Sequence, residues 1–199
     1  IQNNFILASN FNFVRNSRKN AFDTDFSIFR LKFEFAGNLL YNVSKLLNLK
    51  NNNDGAYEFN GVPFSQYIKS EIDYIRLWDL GASNVLALRS FFGIAIPLKN
   101  ASSIPFSKSF FAGGSNDNRA WTAYDLGPGT SDNNNEFNQA NIKLAFSFEY
   151  RYTLFVKLNG AFFTDAGNIL NVLDDVRDRK ATFNDIESLK DLAVGAGFG

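Results

Sequence analysis

Two carboxylates in the second half of the chain are the residues best placed to do chemistry. Glu149 and Asp165 lie in two strand-like segments, and strand alternation predicts that both face the same, interior side of the sheet. A pair of carboxylates could serve as general acid and base, as in glycoside hydrolysis. We favour the interpretation that they anchor a cation. Arg119 is the candidate cation, because a guanidinium can bridge carboxylates in a fixed geometry.

The segment that carries Arg119 is rich in glycine and asparagine. Gly113 and Gly114 permit backbone geometry that is closed to other residues, and the Gly-Pro-Gly sequence at 127–129 ends any regular structure. We therefore expect Arg119 at the tip of a structured excursion. A phosphate-binding loop fits poorly, because no P-loop or dinucleotide spacing occurs and no helix pattern follows. The remaining alternative is an ordinary surface loop with an exposed arginine.

The clearest strand of the chain, residues 142–152, alternates strictly between two kinds of side chain. One face carries Ile142, Leu144, Phe146, Phe148, Tyr150 and Tyr152. The other face carries Lys143, Ala145, Ser147, Glu149 and Arg151. This pattern suits a strand that crosses a bilayer beside a wet interior, although an amphipathic strand of a soluble sandwich looks similar.

The lengths of the connections favour the membrane interpretation. Further strands are predicted at about 4–14, 25–36, 65–78, 85–97, 156–167 and from 192 onward, with a helix-like pattern over 39–49. Short turns near 15–20, 79–84 and 153–155 alternate with long connections near 37–63, 98–140 and 168–190. Outer-membrane barrels alternate short periplasmic turns with long extracellular loops in this way. The predicted fold is all-β: residues 1–199 form one partial, antiparallel transmembrane β-barrel domain of about seven strands, with these three connections extracellular.

Composition narrows the possible functions. The 20 basic and 20 acidic residues balance, which gives no reason to expect a nucleic-acid partner. The chain has no cysteine and no histidine, so disulfides, the usual zinc ligands and histidine-based catalysis are excluded. We predict no cofactor, no metal site and no catalytic residue. Both ends of the chain have strand-like sequence, so we expect neighbouring strands beyond them.

Three separated motifs resemble one known family. They are Phe-Ala-Gly-Gly-Ser-Asn-Asp-Asn-Arg-Ala-Trp at 111–121 with Leu-Gly-Pro at 126–128, Glu-Tyr-Arg at 149–151, and Phe-Thr-Asp-Ala-Gly at 163–167. In order and separation they resemble the C-terminal barrel of the BamA/TamA outer-membrane assembly superfamily. In that family the loop-tip motif is Val-Arg-Gly-Phe, or Ile-Arg-Ala-Trp or Ile-Arg-Ala-Phe in some branches. Here Asn118 precedes Arg119, which is a departure, while Ala120 and Trp121 follow it.

The resemblance implies a fold, a site and an activity. The fold would be a barrel of about sixteen strands, preceded by periplasmic POTRA domains. The long loop would fold into the lumen, where Arg119 would pair with Asp165, with Glu149 nearby. The family motif of the strand matches at Phe163, Asp165 and Gly167.

The implied activity is not enzymatic: it is insertion or translocation of client proteins through a seam between the first and last strands. The implied location is the bacterial outer membrane. The expected partners are outer-membrane lipid, unfolded β-barrel clients, and periplasmic or lipoprotein accessory subunits.

Three other functions remain as alternatives. A two-partner-type secretion translocator shares the loop and strand motifs but exports one dedicated substrate. A diffusion porin also folds a constriction loop inward, although the match between the Arg-Ala-Trp tip and the Phe-x-Asp-x-Gly strand argues against it. An enzyme embedded in a barrel ranks last, since the chain lacks histidine and a Gly-x-Ser-x-Gly motif.

Overall fold

The protein is an antiparallel β-meander. The structure is a computed structural model that describes residues 4–131, 138–155 and 158–199. The elements are β1 Ala8–Asn16, β2 Phe26–Ala36, α1 Asn38–Leu46, β3 Glu58–Phe59, β4 Val62–Pro63, β5 Tyr67–Gly81, β6 Asn84–Pro97, β7 Ile142–Phe155, β8 Leu158–Leu170 and β9 Ala193–Phe198, with short 3-10 helices at Phe106–Lys108 and Ile186–Asp191. Seven strands form one open sheet in the order β1-β2-β5-β6-β7-β8-β9.

Every neighbouring pair in this sheet is antiparallel. The predicted all-β, antiparallel fold class is therefore confirmed.

Several predicted boundaries are wrong by a few residues. β1 begins at Ala8 rather than near Asn4, because Phe5 pairs instead with the connection after α1: its N–H donates to the Pro63 carbonyl at 3.1 Å. The ribbon of β3 and β4 was not predicted. Residues 153–155, predicted as a turn, continue β7. The predicted start of the next strand, at residues 156–157, lies outside the described residues.

The two faces of the large sheet differ in what covers them. We call one the bare face; its exposed apolar side chains include Phe11, Phe35, Ile72, Phe92, Phe146, Phe148, Phe162, Val194 and Phe198. We call the other the covered face; it carries Glu34, Lys69, Asp73, Arg89, Lys143, Ala145, Glu149, Phe163, Asp165, Gly167 and Gly195. Phe148 is 46% exposed, whereas Asp165 is fully buried. In a water-soluble protein the phenylalanine side chains of a sheet are buried and its carboxylates are exposed, so this distribution is reversed here.

The hydrophobic core lies between the sheet and the long connection from residue 98 to 141. Residues of that connection pack against the covered face near the ends of the strands. The cluster consists of Ala36, Tyr67, Ala95, Ile104, Phe110, Ala112, Leu126, Ala140 and Ile169. The described part of the connection is therefore a packed layer of the fold, and it brings its tip onto β7, β8 and β9. None of the helices in the described ranges has the length and hydropathy needed to span a bilayer.

Candidate functional site

Strand register brings the two predicted carboxylates together. In the β7–β8 ladder Glu149 pairs with Phe163 and Ser147 pairs with Asp165. Glu149 and Asp165 are therefore diagonal neighbours on the covered face, within reach of one long side chain.

Arg119 is that side chain. Its Nε donates to Asp165 Oδ2 at 2.7 Å and its Nη2 donates to Asp165 Oδ1 at 2.8 Å, a bidentate pair. Its Nη1 donates to Glu149 Oε2, and its backbone N–H donates to Asp165 Oδ2 at 3.1 Å. The structure thus places one guanidinium between two carboxylates from neighbouring strands.

The surroundings of Arg119 keep it charged and fixed in orientation. The Asp165 side chain is 1% exposed and the Arg119 side chain 23% exposed, so water reaches the pair from the arginine side only. The guanidinium lies over the Phe163 ring, 3.6 Å from its centroid. The Asp165 carboxylate raises the pKa of Arg119 above its ordinary value. The second Glu149 oxygen, Oε1, accepts from Arg151 Nε at 2.6 Å, so both carboxylates are satisfied by arginine.

The glycine pair before the tip makes the turn that presents Arg119. Gly113 and Gly114 have φ values of 98° and 100°, which L side chains rarely adopt. A Cβ on Gly113 would lie 2.1 Å from the Thr122 carbonyl oxygen. The Gly114 N–H donates to the Trp121 carbonyl at 2.9 Å, which closes the excursion at its base. The excursion is therefore structured, and its arginine is not exposed as in an ordinary surface loop.

Glycines on the covered face leave the space that the loop tip occupies. A Cβ on Gly167 would lie 2.6 Å from Asn118 Oδ1, and a Cβ on Gly195 would lie 2.5 Å from the Ala120 Cβ and 3.3 Å from Trp121 Cζ3. Any larger side chain there would displace the tip. Of the sequence-predicted residues, Ala120, Trp121 and Gly167 thus belong to the contact between loop and sheet.

Asn118, the departure from the family's loop motif, is 1% exposed, and its Nδ2 donates to the Ala193 carbonyl at 3.4 Å. The asparagine therefore connects the tip to β9, in addition to the contact of Arg119 with β7 and β8.

A second ion pair at the site was not predicted from the sequence. Lys143 Nζ donates to Asp117 Oδ2 at 2.9 Å and to the Phe111 carbonyl at 2.7 Å. Asp117 Oδ2 also accepts the Gly113 N–H at 2.9 Å, and both charged side chains are at most 16% exposed. The signal was present, because Lys143 alternates onto the same face as Glu149. Asp117 lies inside the loop motif, where the sequence pattern alone gives no partner.

The same connection has another anchor near its start. Lys108 Nζ lies 2.7 Å from Glu34 Oε1 of β2, and Tyr67 of β5 donates its hydroxyl to the same carboxylate. Lys69 Nζ donates to the Lys108 carbonyl at 2.9 Å and lies 4.2 Å from the centroid of the Phe110 ring. The connection is thus attached to β2 and β5 near one end and to β7, β8 and β9 at its tip.

The chemistry of this arrangement is positional. Both carboxylates are occupied by guanidinium groups, which leaves neither as a free acid or base for glycoside hydrolysis. In the described part of the chain, no group of three or more His, Cys, Asp or Glu side chains is arranged to hold a metal ion. What the site does is fix a loop tip against three adjacent strands.

An open antiparallel meander with a bare apolar face and a loop pinned to its other face defines a segment of a transmembrane β-barrel. Residues 2–199 match the family model of the Omp85 superfamily domain, and the chain belongs to this superfamily. The predicted resemblance to the BamA/TamA assembly proteins is therefore confirmed at the level of the family.

Comparison with solved structures gives the same fold. The crystal structure of BamA from Haemophilus ducreyi lacking POTRA domains 1-3 superposes with a TM-score of 0.64 at 15% sequence identity. The match covers 98% of this chain and 35% of that chain, so the present chain spans about a third of the length of the BamA chain. A comparison with curated proteins finds no match.

Proposed function

We propose that this chain is a barrel segment of an outer-membrane assembly factor that inserts or translocates client β-barrel proteins. The observation that carries the proposal is the contact of Arg119 with Asp165 and Glu149, because it joins a loop tip to the barrel wall by a bidentate ion pair. In this proposal the covered face lines the lumen, the bare face meets lipid, and the long connections near 37–63, 98–140 and 168–190 are extracellular.

The pinned tip gives the wall a mechanical role. It crosslinks β7, β8 and β9 from the lumenal side, so these strands hold their register while other strands move. An unpaired strand edge elsewhere in the barrel can then template a client strand through backbone hydrogen bonds. Because the pair stays partly wet on the arginine side, its main contribution is position rather than net stability.

The proposed partners follow from this role. They are outer-membrane lipid along the bare face, unfolded β-barrel clients at the seam, and periplasmic or lipoprotein accessory subunits. The proposed site consists of the tip residues Gly113, Gly114, Arg119, Ala120 and Trp121 and the strand residues Glu149, Phe163, Asp165 and Gly167.

The test replaces Arg119 by alanine in cells that depend on the full polypeptide. Client barrels should decline several-fold in the outer membrane, while the variant itself remains folded there, because the hydrophobic core under the connection is unchanged. Arg177→Ala is the matched control, since Arg177 is an exposed arginine of another long connection.

Unchanged client levels in cells that carry only Arg119→Ala would contradict the proposal. Loss of one exported protein, with all other barrels retained, would instead identify a secretion translocator.

A further inference from the structure

Helix α1 presents an apolar stripe to the outside of the protein. Leu39, Val43, Leu46 and Leu47 recur at the spacing of one helix face, and they are 69%, 42%, 80% and 63% exposed. A helix on the surface of a water-soluble protein places such a stripe against the core and its polar residues outside. In α1 the orientation is reversed.

The opposite side of α1 is the side that the protein holds. The Tyr41 ring packs edge-to-face on Tyr57, with ring centroids 5.5 Å apart, and Ser44 is buried. At the start of the helix, Gln66 Nε2 donates to Asn38 Oδ1 at 2.9 Å. These contacts fix which side of α1 faces outward, so the exposure of the stripe is set by the fold.

The stripe begins where the bare face ends. Phe35, 46% exposed, lies on the bare face near the end of β2; Leu7, also 46% exposed, immediately precedes β1, and its carbonyl accepts the Gly37 N–H at 2.9 Å. Helix α1 starts at the next residue. The apolar stripe therefore continues the apolar band of the strands.

We propose that α1 is an interfacial helix that lies on the membrane leaflet next to the long connections. Its stripe enters the boundary between headgroups and acyl chains. The partner is thus a lipid surface. This inference rests on the proposed placement of the bare face in the bilayer.

The experiment uses the absence of cysteine from this chain, which allows labelling at single introduced cysteines. The full polypeptide, with any other cysteine removed, carries an environment-sensitive fluorophore at Leu46→Cys. It is reconstituted in phosphatidylethanolamine–phosphatidylglycerol liposomes that contain lipids with a quencher near the headgroup. Phe148→Cys on the bare face is the reference for lipid contact, and Asn53→Cys, exposed in the connection after α1, is the reference for water.

The label at Leu46 should be quenched by the lipid quencher at least about half as strongly as the label at Phe148, and several-fold more strongly than the label at Asn53. Quenching of Leu46 by aqueous iodide alone, with Phe148 still quenched by lipid, would overturn the inference and leave the proposed function standing. Shielding of Leu46 from both quenchers, or crosslinking between two copies, would identify a protein cover and also overturn it. If Phe148 is not quenched by lipid, the membrane placement itself is wrong.

Discussion

The contact between Arg119 and Asp165 allows a quantitative prediction. Asp165→Ala removes the acceptor of two side-chain hydrogen bonds and one backbone hydrogen bond from Arg119. A hydrogen bond to a charged group contributes about 1.5–3 kcal/mol, and breaking a fully buried pair costs about 3–5 kcal/mol. Because the Arg119 side chain is 23% exposed and keeps Glu149 as a partner, we expect a coupling energy of about 2–3 kcal/mol.

The coupling is measured with a double-mutant cycle of Arg119→Ala and Asp165→Ala. The readout is the free energy of unfolding of the full polypeptide in liposomes, from urea titration. The backbone N–H of residue 119 can still donate to Asp165 in the arginine variant, so the coupling term reports the side-chain bonds alone. The matched control is a cycle on Lys190 and Glu187, an ion pair at 3.0 Å in which both side chains are more than 75% exposed.

Exposed pairs of this kind seldom show measurable coupling, so the control cycle should give a value near zero. A coupling energy for Arg119 and Asp165 no larger than that of the control would refute the reasoning. In that case the tip would be held by the packing of Ala120 and Trp121 on Gly195 and not by charge.

Two further predictions concern Gly167, which contacts the loop tip, and the bare face. Gly167→Ala should destabilise the fold by about 1–3 kcal/mol, because the new Cβ lies 2.6 Å from the Leu144 carbonyl oxygen. Urea unfolding checks this against Gly199→Ala, where a Cβ meets no atom within 4 Å; equal midpoints would contradict it. Phe148→Arg should impair integration into liposomes, since an arginine facing the bilayer midplane costs about 2–4 kcal/mol. The comparison is Asn12→Arg on the covered face, and equal integration of the two variants, measured by resistance to carbonate extraction, would argue against a lipid-facing bare face.

The sequence predicts the strands and their two faces because both follow from an alternation of side chains that needs no tertiary information. This alternation is clearest over residues 142–152, and in the structure the strand begins at Ile142 as predicted and continues three residues further, to Phe155. The family resemblance likewise implied the partners of Arg119. The diagonal approach of Glu149 to Asp165 depends on register, which alternation leaves open until the strands pair.

The ion pairs that the sequence analysis missed join residues far apart in the chain. Lys108 contacts Glu34, and Lys143 contacts Asp117, each pair across a connection whose path no local pattern encodes. The late start of β1 has the same origin, because the backbone of Phe5 is satisfied by Pro63 and Ser65 rather than by β2. Local rules of alternation and turn chemistry do not predict such long-range choices.

The long connection forms ion pairs with two strands that are not neighbours in the sheet. Near its start, Lys108 forms an ion pair with Glu34 of β2, and at its tip Arg119 forms an ion pair with Asp165 of β8. The strands β5, β6 and β7 lie between β2 and β8. A relative movement of β2 and β8 would therefore have to stretch these ion pairs in addition to the backbone hydrogen bonds of the strand ladders. Side-chain charge thus couples strands that are not neighbours in the sheet, which the backbone ladders alone do not do.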